Sequence, residues 1–157
     1  MRTVLVAVGN PLFRDDSLGW FVWRRFKERL PAYHFLSPSL ELLERLKGFD
    51  RAVIVDAVDL GLPAGRLVIK RLAGKYLVRS GAHTLSVEEL LFTGYSLFPE
   101  EMPKEVYLFG VQGEDFSPGF GLTPAVERGL KELLKELEEL LSDSVEPKDL
   151  IPKEKGY

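Results

Sequence analysis

The chain has 157 residues, a length that suits one compact domain burying a sizeable core. Hydrophobic residues make up 45% and charged residues 29%, with a formal net charge of -3; no apolar run approaches a membrane span and no basic stripe offers a nucleic-acid surface. The absence of cysteine excludes disulfides, thiolate metal sites and a cysteine nucleophile, so any metal must be held by oxygen and imidazole.

The N-terminal MRTVLVAVG runs directly into a Gly-Asn-Pro turn without a small-residue cleavage site, so residues 2 to 8 read as a first buried strand and not a signal peptide. Residues 17 to 30 place Leu18, Phe21, Val22, Phe26 and Leu30 on one helical face, closed by Pro31. AYHFL (32 to 36) predicts a second strand, and SLELLERLKG (39 to 48) a helix stopped by Gly48. RAVIVDAV (51 to 58) predicts the central strand, and GRLVIKRL (65 to 72) a strand at an edge or half exposed, because it carries Lys70 and Arg71. SVEELLF (86 to 92) predicts a short helix with a capping box from Ser86 to Glu89. EVYLFGVQ (105 to 112) is the last strand, followed by a Gly- and Pro-rich loop. A helix from Thr123-Pro124 to Leu141 then presents Val126, Leu130, Leu133, Leu134, Leu137 and Leu141 on its apolar side. This assigns residues 1 to 142 to a single domain and 143 to 157 to a polar tail.

Fully apolar strands alternating with helices predict an α/β fold, a three-layer α/β/α sandwich with a mostly parallel central sheet. Ligands in such sheets bind outside the carboxyl ends of the strands. Three side chains belong to that rim: Asp16 after the first strand, Asp56 at the end of the central strand, and His83 just before a helix. Two carboxylates and one imidazole form a ligand set suited to nickel, zinc, manganese or a similar divalent ion. Each has a plainer reading. Asp15 and Asp16 precede a helix that either could cap, whereas a carboxylate closing VIVD loses solvation unless something partners it. His34, within a strand, reads as structural, and Trp20 and Trp23 as packing against a neighbouring element. Neither a phosphate loop nor a dinucleotide fingerprint is present.

Four blocks, GNPLFRDDSLG (9 to 19), VIVDAVDLG (53 to 61), HTLSVEELL (83 to 91) and GVQ with GLTPAVE (110 to 127), resemble in content and order the hydrogenase maturation endopeptidases. The resemblance spans residues 2 to 141. It implies a three-layer α/β/α domain and a metal-recognising site of Asp16, Asp56 and His83, while the composition and charge fit a cytoplasmic protein with no membrane insertion and no nucleic-acid partner. It also implies a substrate, the [NiFe]-hydrogenase large-subunit precursor, cut after nickel insertion to release its C-terminal extension. Nickel would arrive with the precursor, although another divalent ion could occupy the isolated protein. Ser17 stands where the family commonly has glycine, LSPSLELL (36 to 43) lacks a glycine-rich turn, and Gly113 follows Gln112 where proline is frequent.

Two mechanisms fit the three residues: a metal-activated water with a carboxylate as general base, and an aspartic dyad sharing a proton. Other function classes remain open in the sequence. A nickel- or precursor-binding protein that does not cut would need the same residues. VAVGNP is also similar to the start of peptidyl-tRNA hydrolases, although no Thr-Arg-His-Asn segment follows. The oligomeric state is open, a monomer included.

Overall fold

The structure is a computed structural model and describes residues 1–72 and 86–142. Along these residues run β1 (Thr3–Val8), α1 (Leu18–Phe26), β2 (Ala32–Phe35), α2 (Leu40–Leu46), β3 (Arg51–Val58), β4 (Leu67–Leu72), α3 (Val87–Leu97), β5 (Glu105–Gln112) and α4 (Pro124–Leu141). The strands form one sheet in the order β2-β1-β3-β5-β4. All neighbours are parallel except β4, which runs antiparallel to β5 at the edge. The expected mostly parallel sheet and the edge position of 65 to 72 are both found.

The central strands lack hydrophobic alternation because both faces of the sheet are covered. Leu5, Ala7, Val53, Val55, Tyr107 and Phe109 point to one layer, where α1 and α4 supply Leu18, Val22, Phe26, Val126, Leu133 and Leu137. Val4, Val6, Ile54, Val106 and Leu108 point to the other, where α2 and α3 supply Leu42, Leu43, Leu46, Leu90 and Leu91. With each strand residue needed by one layer or the other, a continuous apolar run is the only pattern that serves. Along β4, Lys70 and Arg71 turn outward and pair with Glu88 and Glu105.

Helix boundaries differ from the sequence expectation in α1, α2 and α3; α2 runs only from Leu40 to Leu46, inside the expected 39 to 48. α1 begins one residue later than position 17, after a tight 3-10 turn (Arg14–Ser17), and ends at Phe26 instead of residue 30. There the amides of Arg29 and Leu30 both turn back to the Phe26 carbonyl, which tightens the chain towards Pro31 and β2. α3 continues beyond residue 92 to Leu97, and Phe92, Tyr95 and Phe98 pack against the second core. Its predicted capping box is present: Ser86 Oγ accepts from Glu89 N at 3.1 Å and Glu89 Oε1 from Ser86 N at 3.1 Å.

The sheet order places the site. From β1 the chain passes through α1 to β2 on one side, then crosses back through α2 to β3 on the other. The direction of winding therefore reverses between β1 and β3, and in open α/β sheets that reversal marks the crevice, above the carboxyl ends of the strands, where ligands bind.

Candidate functional site

Asp16 and Asp56 flank that crevice, one just after β1 and the other near the end of β3. Gly9 makes the first position possible. Its φ of 139° lies outside the range of ordinary side chains, and a Cβ there would sit 2.1 Å from the Asp16 carbonyl oxygen. The chain thus leaves β1 on a bend that only glycine allows, and the 3-10 turn returns Asp16 over the strand end. Asn10 N then donates to Asp16 Oδ2 at 2.7 Å. Gly19 lets α1 settle on β1, since a Cβ would lie 2.7 Å from the Val8 carbonyl oxygen. Both ends of GNPLFRDDSLG are therefore steric requirements of the turn.

The two carboxylates influence each other. Burial pushes the Asp56 carboxyl well above the usual carboxylate range, and the Asp16 charge beside it pushes the same way, against the Ala57 amide. Burial also raises Asp16, opposed by the Asn10 amide and the nearby His34. The pair is asymmetric, with Asp56 the better holder of a proton and Asp16 the better holder of charge. His34 Nε2 lies 2.8 Å from the Gly9 carbonyl oxygen, and Trp23 packs beside its ring at a centroid distance of 5.9 Å. His34 thus has the structural place expected of it, next to Asp16. Trp23 has the packing role read for it, with its indole N–H donating to the Ala32 carbonyl at 3.3 Å.

Asp15 does something the sequence reading did not foresee. No carboxylate caps the 3-10 turn or α1, so the capping role expected for Asp15 and Asp16 is corrected. Asp15 is fully buried and turns across the fold to the loop after β5. Its Oδ2 accepts from the amides of Glu114 (2.8 Å) and Asp115 (2.9 Å), and its Oδ1 from the amide of Thr123 (2.8 Å). The Thr123 hydroxyl donates as well. Adjacent aspartates thus divide the work: Asp15 fastens the loop and Asp16 faces the crevice. Burial of the first is the discriminating property, and DD in sequence does not reveal it.

Gln112 was also missed as a supporting residue. It closes β5, is buried, and its Oε1 accepts from Leu60 N at 2.8 Å and Leu62 N at 3.3 Å. Its Nε2 donates to the Gly113 carbonyl at 2.9 Å. Gln112 therefore fixes the turn that leaves β3 just beyond Asp56. A lone glutamine ending an apolar strand was the available signal.

The structure brings Asp16 and Asp56 together, while His83 lies outside the described residues, as does the tail from 143 to 157. Among the described residues no three His, Cys, Asp or Glu side chains gather closely enough to hold a metal ion. Ser17, at the position commonly glycine, is buried, and its hydroxyl donates to the Arg14 carbonyl.

The family model for hydrogenase maturation proteases, HycI, matches residues 37–140. The chain is 27% identical to the hydrogenase 2 maturation protease of Escherichia coli, an alignment covering 92% of this chain and 93% of that protein. It superposes with a TM-score of 0.72 on the hydrogenase maturating endopeptidase HybD from E. coli, at 26% identity over 92% of this chain and 94% of that one. It superposes with a TM-score of 0.68 on another endopeptidase from E. coli, 28% identical over 98% of this chain and 99% of that one. With the α/β fold, these matches establish that the chain belongs to the hydrogenase maturation protease family and is a peptidase.

Proposed function

We propose that this protein removes the C-terminal extension of a [NiFe]-hydrogenase large-subunit precursor after nickel insertion, with Asp16, Asp56 and His83 recognising the nickel as cargo of the substrate. The observation that carries the reading is the placement of two acidic side chains, Asp16 after β1 and Asp56 near the end of β3, where the sheet reverses its winding. Two oxygens and an imidazole suit a borderline divalent ion, and the Asp16 charge beside Asp56 favours an arriving cation. Metal loading of the precursor then serves as the check before cleavage.

Peptide hydrolysis needs a base for the attacking water and a polarised carbonyl. Asp16, whose carboxyl is raised by burial but less than that of Asp56, because the Asn10 amide and His34 oppose the shift, would accept the proton of the water. Asp56, inclined to hold a proton, is placed to donate one to the carbonyl oxygen or the leaving amine. A bound divalent ion would add Lewis acidity and lower the pKa of its water. No helix among the described residues is long and apolar enough to cross a membrane.

The test is processing of the purified nickel-loaded precursor by Asp16→Ala, Asp56→Ala and His83→Ala. Each substitution is expected to slow cleavage by about a hundredfold or more, with circular dichroism unchanged. Wild-type rates in any of the three would remove that residue from the site.

A further inference from the structure

Large apolar side chains are not scattered over this surface. Six of the eight that are exposed among the described residues stand on the segments leaving the parallel strands: Leu12, Phe13, Leu36, Leu40, Leu60 and Phe120. The other two, Met1 and Leu97, lie towards the opposite end, before β1 and at the close of α3. Several of the six protrude strongly, with Leu12 58%, Leu36 61%, Leu40 66% and Phe120 76% exposed.

Backbone bonds hold these residues in two flanks around the crevice. On one side, Gly119 N donates to the Leu12 carbonyl and Arg14 N to the Gly119 carbonyl, both at 2.9 Å, which ties Leu12 and Phe13 to the segment carrying Phe120. On the other, Gly9 N donates to the Phe35 carbonyl at 2.9 Å, fixing the start of the segment with Leu36 and Leu40. Gln112 holds Leu60 beside the end of β5. The acidic pair lies between the flanks, and among the described residues neither Asp16 nor Asp56 forms an ion pair with Lys or Arg.

From this arrangement we infer that the six residues form an apolar collar on which the folded body of the nickel-bearing precursor docks, as distinct from the tail that is cut. The inference rests on the proposed function. The surface complementary to an apolar ring around two acidic side chains is an apolar protein face with a cation at its centre, which is the chemistry of that precursor. The collar extends from beyond β2 to beyond β5, three strand spacings or about 14 Å, a span suited to the face of a folded protein. Large exposed apolar side chains gathered at one end of a fold mark protein docking sites.

Two double variants test the inference, Leu12→Ser with Phe120→Ser and Leu36→Ser with Leu40→Ser. Both replace exposed side chains, so their melting temperatures should match the wild type. For the nickel-loaded precursor, each should raise KM about tenfold and keep kcat within about twofold. Placed in the Asp56→Asn background, each should weaken calorimetric binding of the uncut precursor to a similar degree. An unchanged KM together with unchanged binding overturns the collar and leaves the protease reading intact. Wild-type protein that leaves the nickel-loaded precursor uncut overturns the protease reading itself. An equal tenfold loss with a synthetic peptide of the tail sequence would assign these residues to the tail, and a changed sedimentation coefficient of the free variants would assign them to self-association.

Discussion

Asp56 carries an electrostatic cost to the fold. Its carboxyl is raised by burial and by Asp16, so the folded chain holds this proton more tightly than the unfolded one. Stability therefore falls as pH rises from the ordinary carboxylate range through the raised value, and the penalty persists at neutral pH. Asp56→Asn is expected to raise the melting temperature at pH 7 while processing is lost. The gain should shrink on acidification and disappear below about pH 4, which thermal unfolding across pH would follow. A constant gain at all pH values would place its origin outside ionisation. Asp56 was legible in the sequence because a carboxylate ending an apolar strand asks for a partner. The different fates of Asp15 and Asp16 were not, because adjacent acids before a helix have the same local pattern whichever way each side chain turns.

Among the elements, the loop between β5 and α4 depends on a tether that is distant in sequence. Asp15 accepts three backbone amides and the Thr123 hydroxyl, and Thr123 immediately precedes α4. Asp15→Ala would leave those buried or partly buried donors unmatched and cost about 3 kcal/mol or more. The expected result is a lower melting temperature with faster proteolysis confined to residues 113 to 123. Asp15→Asn should recover little, since its amide nitrogen would face a donor. Arg14 reinforces the junction: its side chain lies 3.5 Å from Asp115 Oδ2 and donates to the Phe120 carbonyl at 3.4 Å. The elements themselves were readable. Unbroken apolar strands, the Ser86 capping box and Pro124 at the start of α4 each reflect local chemistry, and each appears where expected. The end of α1 and the extension of α3 were not readable, because contacts with neighbouring elements decide them.

For the whole molecule, sheet order turns separate motifs into one site. Asp16 and Asp56 are 40 positions apart, yet the reversal of winding between β1 and β3 sets both at one crevice. The same end of the sheet carries the acidic pair, the fastened loop and the six exposed apolar residues of the proposed collar. The fold class followed from alternating strands and helices. Asp16 and Asp56 followed from the rim rule, whereas Asp15, Gln112 and the collar emerge only from burial and long-range hydrogen bonds. The claim at the centre is that cleavage reads nickel. The most direct measurement is mass spectrometry of the precursor incubated with this protein, with and without nickel bound. Loss of the C-terminal extension from the nickel-loaded form, with the nickel-free form left whole, is the predicted result; equal trimming of both would contradict it.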